Sequence, residues 1–159
     1  MDDVIETLEA TADDLGALAA LNAEVQNLHV NAMPWRFKPP DLEAIRACFG
    51  EWMADENICF VLAKVGGDVA GYTVLKIRHR PEHPFCYEQQ SLEVDHIGVA
   101  ESFRGHGVGK ALIDDAKTRA GDLGIDRLEL TVWGFNQNAQ DFFSAQGFQP
   151  AMHSMSMTV

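Results

Sequence analysis

The chain has 159 residues, the size of one ordinary domain, so residues 1–159 are expected to fold as a single unit. With 47% hydrophobic and 23% charged residues it can build a packed core, which excludes wholesale disorder. Twenty-four acidic residues against 12 basic ones give a formal charge of -12, which argues against a nucleic-acid-binding face and favours a cationic partner such as an amine.

Residues 5–10 read as a first strand. Thr11, Asp13 and Asp14 can accept from free backbone amides, so they mark a helix start. Leu15, Leu18, Ala19 and Leu21 then form a helical stripe reaching about His29. Residues 33–40 hold three prolines with Trp35 and Phe37 and form a loop carrying aromatics. Residues 41–53 predict a second amphipathic helix. Ile58–Val65 and residues 69–78 are strands around a Gly66-Gly67-Asp68 turn, a hairpin signal. Residues 79–88 are a loop, residues 92–99 a strand, and residues 108–123 a helix closed by Gly124. Leu128, Leu130 and Val132 alternate with polar residues, which predicts a strand over 127–133. A short helix over 138–146 ends at Gly147, and the tail from Phe148 is expected to hold one or two strands.

Helices between strands, together with a hairpin, give an α/β (α+β) domain with a mixed sheet. The strand over 92–99 breaks its own alternation. Leu92 and Val94 are apolar at even positions, Ile97 and Val99 at odd ones. One extra residue near His96 restores the phase, so a β-bulge is expected there.

Cys48, Cys59 and Cys86 form no paired framework, which reads as a reduced, cytoplasmic protein. The acidic N-terminus lacks the apolar core of a signal peptide. The longest apolar stretch, near Ile58–Val65, is too short to span a bilayer, so no membrane partner is expected.

The strongest chemical signal is Arg104-Gly105-His106-Gly107-Val108-Gly109-Lys110, lying between a strand and an amphipathic helix. Glycines let backbone approach a ligand, and free amides at a helix start favour a phosphate. The nucleotide-triphosphate loop is excluded, because Gly105 and Gly109 are too close and Ala111 follows Lys110. The dinucleotide fingerprint fails as well: Lys110 stands where its last glycine belongs, and Trp133, not an acid, closes the next strand.

The run LEVDHIGVAESFRGHGVGKALI resembles the cofactor-binding core of the GNAT superfamily of N-acetyltransferases. The family pattern is Arg or Gln, two residues, Gly, one residue, then Gly or Ala, and Arg104, Gly107 and Gly109 match it. Asn136-Gln137-Asn138-Ala139, Phe142-Phe143 and Gly147-Phe148 resemble the family's second signature. The resemblance covers residues 92–148. It implies a mostly antiparallel central sheet with a splayed, bulged strand and helices on both faces.

It also implies acetyl-CoA as co-substrate, without a metal. Backbone groups of Ile97, Gly98 and Val99 would pair with the pantetheine arm, the Val99 amide would polarise the thioester carbonyl, and Asn136 or Asn138 would bind the arm from the other side. Glu93 and Asp95 share a strand face; two close carboxylates raise one apparent pKa, which suits a general base for the amine. His96 is a weaker candidate, more naturally a structural residue of the bulge. Many family members carry a tyrosine where Phe143 stands, to protonate the leaving thiolate. Phe143 has no proton to give, so water, Tyr72 or Tyr87 would have to serve. This departure motivates an alternative reading, a catalytically weak acyl-CoA-binding sensor or interaction protein. His29, Trp35 and Phe37 are candidates for the acceptor pocket, with an amine of a small molecule or a protein as acceptor. Trp133 is expected to pack. His79, His83 and Cys86 match structural zinc spacing poorly. A homodimer is common among domains this small.

Overall fold

A computed structural model describes residues 4–159. The elements are β1 (Ile5–Glu9), α1 (Leu15–Ala32), α2 (Leu42–Met53), β2 (Ile58–Val65), β3 (Asp68–Arg80), β4 (Gln89–Val99), α3 (Val108–Asp122), β5 (Leu128–Glu129) and α4 (Gln137–Ala145). The sheet runs β1-β2-β3-β4-β5; every neighbouring pair is antiparallel except β4 with β5, which is parallel. The fold is therefore mixed α/β with a mostly antiparallel sheet, as expected.

β2 and residues 69–75 of β3 are near-continuous apolar runs because helices cover both faces there. Val61, Ala63 and Val65 of β2 pack with Val108, Leu112, Ile113 and Ala116 of α3. Phe60 and Leu62, one residue out of phase, pack with Leu18 and Leu21 of α1 and Phe49 of α2. Helix starts follow the cap chemistry: Thr11 N–H donates to Asp14 at 2.8 Å, and Asp41 accepts from Ala44 N–H at 3.1 Å.

The bulge lies where the broken alternation put it. Val74 pairs with His96 and Leu75 with Val94, leaving Asp95 as the extra residue. Leu92, Val94, Ile97 and Val99 consequently all face α3. Two expectations are corrected. Only Leu128 and Glu129 of the stretch 127–133 pair with β4, because the segment then turns away from it. Among the described residues the tail beyond Phe148 forms no strand; residues 149–159 are exposed, although serine and methionine alternate there.

Candidate active site

The splay of β4 from β5 opens a slot. The strands pair at Leu92–Leu128 and Glu93–Glu129 and no further, so Val94 to Val99 on one wall diverge from residues 130–133 on the other. Ala100 N–H donates to Ala70 O at 2.8 Å, across to β3. Successive amides in an extended strand alternate in direction, so the Val99 N–H faces away from β3, into the slot. By the same alternation Ile97 N–H faces the slot and Gly98 N–H faces β3. Gly98 is required where α1 crosses the strand: a Cβ there would stand 2.8 Å from Tyr72 Cε1 and 3.0 Å from Val25 Cγ2.

The glycine loop sits at the end of this slot. Gly105 and Gly107 have φ of +78° and +83°, a region that favours glycine. Gly107 caps α3, and the first intrahelical donor is Ala111, bonding Gly107 O at 3.0 Å. The amides of Val108, Gly109 and Lys110 are thus free of helical partners, at the positive end of the helix dipole. Arg104 is exposed; its Nε donates to Val99 O at 3.4 Å, and its Nη2 lies 3.9 Å from Glu24. Lys110 turns along the helix to Asp114 at 2.6 Å. His106 is exposed on the loop.

On the opposite wall, Asn136 caps α4, accepting from Ala139 N–H at 3.1 Å, which leaves its Nδ2 available. Asn138 is exposed in the first turn of the same helix. Phe143 is 8% exposed, packed 5.2 Å from Phe142 and 5.7 Å from Phe148, ring centroid to ring centroid. It belongs to the core under α3. Neither tyrosine proposed as a substitute acid reaches the slot. Tyr72 is fully buried, and burial pushes its hydroxyl well up; Tyr87 is 84% exposed on the loop before β4.

The expectation that the carboxylate pair would raise a pKa is overturned. Glu93 is paired with Arg78 at 2.6 Å, and Asp95 with Lys76 at 2.8 Å. Burial alone would push the Asp95 carboxyl up. The Lys76 hydrogen bond and the Lys76 charge, joined in acid by protonated His96, outweigh it and hold Asp95 below the usual carboxylate range. Each acid thus has its own cation, which offsets the repulsion between them. Lys76 also lies 3.9 Å over the Trp52 ring.

His96 faces the same side. Its Nε2 is 3.5 Å from Asp95 and its Nδ1 is 3.2 Å from Asn22 Nδ2, which also donates to Tyr72 Oη at 2.8 Å. An amide nitrogen only donates, so Nδ1 accepts and Nε2 carries the hydrogen. Burial pushes the imidazole pKa down, against the pull of Asp95, so His96 is neutral at pH 7.

Above the slot, the α1–α2 loop meets the diverging wall. His29 packs on Phe37 at 5.0 Å and Phe135 at 5.6 Å, and Phe37 on Trp133 at 5.3 Å. Arg36 stacks 4.8 Å over Trp133. His29 and Phe37 are thus brought together, while Trp35 is 76% exposed outside the cluster. Trp133 packs, as expected. The sequence reading missed Phe135, Arg36, Asn22 and Lys76. Asn22, polar within the apolar stripe of α1 and 6% exposed, was the one with a readable signal. His79, at the end of β3, pairs with Glu88 at 2.6 Å, and among the described residues no three His, Cys, Asp or Glu side chains gather to hold a metal.

The model of the Acetyltransferase (GNAT) family matches residues 5–148. The chain belongs to this family. An uncharacterized N-acetyltransferase in the pepI 3' region of Lactobacillus delbrueckii subsp. lactis is 32% identical over 98 residues, covering 62% of this chain and 56% of the relative. The chain spans about half the length of this relative and of a Bacillus subtilis N-acetyltransferase. A tetramutant of the BH1408 protein from Bacillus halodurans has the same fold, with a TM-score of 0.91 at 22% identity over 97% of this chain and 99% of that one. The aminoglycoside N-acetyltransferase AAC(6')-Iy in complex with CoA superposes with a TM-score of 0.79 at 18% identity over 100% and 97%, and it is also known with a CoA-linked bisubstrate analogue of acetylneamine. No helix among the described residues is long and apolar enough to cross a membrane.

Proposed function

We propose that this chain moves an acetyl group from acetyl-CoA to an amine of a small molecule or a protein by direct attack. The supporting observation is the meeting of two rows of unpartnered backbone donors: the slot-facing amides of β4 and the first turn of α3. These donors fit an amide-bearing arm followed by a pyrophosphate, which needs no side-chain chemistry to be recognised. Acetyl-CoA, when bound, supplies an activated thioester.

In this reading Ile97 and Val99 hold the arm on one wall, and Asn136 and Asn138 on the other; Gly98, expected to share this role, turns its backbone groups to β3 and lets α1 cross. Val99 N–H donates to the carbonyl oxygen as negative charge develops there. Arg104, Gly105, His106, Gly107, Val108, Gly109 and Lys110 cradle the pyrophosphate. Glu93 or Asp95 takes up the proton of the amine through water. Phe143 supplies only packing; a thiol with a pKa of about 8.5 leaves as thiolate without an acid. His29 and Phe37, clasped to Trp133, shape the acceptor site, with Trp35 at its solvent edge. The formal charge of -12 and the aminoglycoside chemistry of a fold neighbour support a cationic acceptor.

The test is release of free thiol from acetyl-CoA in the presence of polyamines, aminoglycosides, amino acids and lysine peptides, with the acetylated product read by mass spectrometry. Turnover that falls in Glu93→Gln or Asp95→Asn while acetyl-CoA still binds supports the assignment. Binding without turnover on any of these amines contradicts it.

A further inference from the structure

The face of the sheet that carries Glu93 and Asp95 has no acidic surplus, although the chain as a whole has a formal charge of -12. Side chains alternate between the faces of a sheet, so Lys76, Arg78 and Arg80 of β3 share a face with Glu93 of β4 and Glu129 of β5. Each acid there has its own cation. Lys76 holds Asp95 at 2.8 Å, Arg78 holds Glu93 at 2.6 Å, and Arg80 holds Glu129 at 3.3 Å.

Arg36 is a cation at this site without such a partner. It lies in the α1–α2 loop, with its guanidinium carbon 4.8 Å over the ring of Trp133. Trp133 continues the side of Glu129, because Leu128, Leu130 and Val132 turn to the core under α3. Among the described residues the Arg36 side chain makes neither an ion pair nor a hydrogen bond. An aromatic face attracts the charge without using an N–H group, so the donors of the guanidinium remain unspent.

The segment that carries Arg36 is fixed in place. Arg36 N–H donates to Met33 O at 3.0 Å and Phe37 N–H to the same oxygen at 3.1 Å, while Gln26 Nε2 donates to Lys38 O at 2.8 Å. Phe37 packs on both Trp133 and His29, and His29 Nδ1 donates to Val25 O at 2.8 Å. A charge on His29 reaches His96, which sets this clasp beside the bulge and its acids. A guanidinium held on a ring with free N–H groups is arranged to bind a carboxylate through two parallel hydrogen bonds.

We propose that Arg36 reads a carboxylate on the acceptor, so that the amine acetylated here belongs to an amino acid. This rests on the acetyl-transfer reading and narrows its acceptor. The amine remains the cationic end of such a molecule, and the carboxylate meets the charge that the acids of this face leave unmatched. A polyamine would bring only further positive charge to Arg36, a like-charge contact that selects against it.

The test compares amino acids with the same molecules stripped of the negative charge. Steady-state kcat/KM is measured for α- and ω-amino acids, each beside its carboxamide and its decarboxylated amine. The wild type should favour the acid by about tenfold, the low end for a hydrogen bond between charged groups because Arg36 is exposed. Arg36→Gln should bring that ratio near one by raising KM for the acid alone, and Arg36→Lys should recover part of it. Acetyl-CoA affinity should stay the same in both. Arg36 is exposed, so neither substitution opens the core. A wild type that acetylates carboxamides or diamines as well as the acids, or a ratio that survives Arg36→Gln, overturns the inference and leaves acetyl transfer standing. Loss of acetyl-CoA affinity in Arg36→Gln also overturns it, since Arg36 would then belong to the cofactor site. If no amine turns over, acetyl transfer falls, and ligand-observed NMR of the same pairs, with CoA present, decides the role of Arg36. Acids that bind the wild type and not Arg36→Gln support it; equal or absent binding of acid and carboxamide contradicts it.

Discussion

Replacing Lys76 with methionine separates charge from packing at the bulge. The ammonium lies 2.8 Å from Asp95, and the side chains are 14% and 22% exposed, so the pair is only partly screened by water. Methionine keeps an unbranched side chain against Trp52 and removes the charge. A hydrogen bond between charged groups at such a site contributes about 1.5–3 kcal/mol, so Lys76→Met should lose about that at pH 7. For a chain of this size that is a fall in Tm of about 3–12 °C. The pH dependence identifies the source. The folded-state pKa of Asp95 lies below its unfolded value, so its stabilisation is full above the unfolded value near 4 and disappears as pH falls through the folded one. Urea unfolding of wild type and variant at pH 7 and at successively lower pH should therefore show a gap that closes in acid. A gap of the same size at pH 7 and in acid would mean that the loss is packing on Trp52, and the electrostatic account of the bulge would fail.

Other consequences follow from the same geometry. His96 is half-buried and its pKa is pushed down by desolvation, so wild-type stability should begin to fall as pH drops below about 6.5, the unfolded value for histidine, and His96→Gln should lose that part of the slope in pH-dependent denaturation. Gly98→Ala puts a methyl group 2.8 Å from the Tyr72 ring and should cost about 1–3 kcal/mol in urea unfolding, with turnover falling because β4 must shift; an unperturbed variant would mean that α1 does not press on the slot. Phe37→Ala opens the clasp on His29 and Trp133 and should raise the acceptor KM several-fold while leaving acetyl-CoA affinity unchanged, as read by steady-state kinetics beside a binding titration.

The bulge was legible because side-chain alternation has a strict period of two, and a phase break in Leu92, Val94, Ile97 and Val99 has one cheap remedy. The glycine loop was legible because positive φ and a bare helix start restrict the residues allowed. Ion pairing was not: Lys76 and Arg78 read as solvated strand residues, and only the β3–β4 register sets Lys76 opposite Glu93 and Arg78 opposite Ser91, within reach of the acids. The same gap explains why two nearby acids suggested a raised pKa that the cations reverse. The strand over 127–133 was overextended for another reason. Its alternation reports a buried face, which a splayed strand keeps while losing its ladder. The tail shows the converse, a strand-like alternation without a ladder among the described residues. Trp35 shared a loop with Phe37, yet only Phe37 meets the wall, a distinction set by the turn at residues 34–36.

The central claim is that the glycine loop and the slot of β4 hold acetyl-CoA. Calorimetric titration of the full chain with acetyl-CoA, beside the Arg104→Ala, Gly107→Asp double variant, tests it most directly. The account predicts micromolar-range binding to the wild type. It also predicts loss of that binding in the double variant, where a carboxylate stands at the cap of α3 and a strained φ of +83° replaces the glycine turn. Absence of binding to the wild type, or equal affinity in a folded double variant, would contradict it.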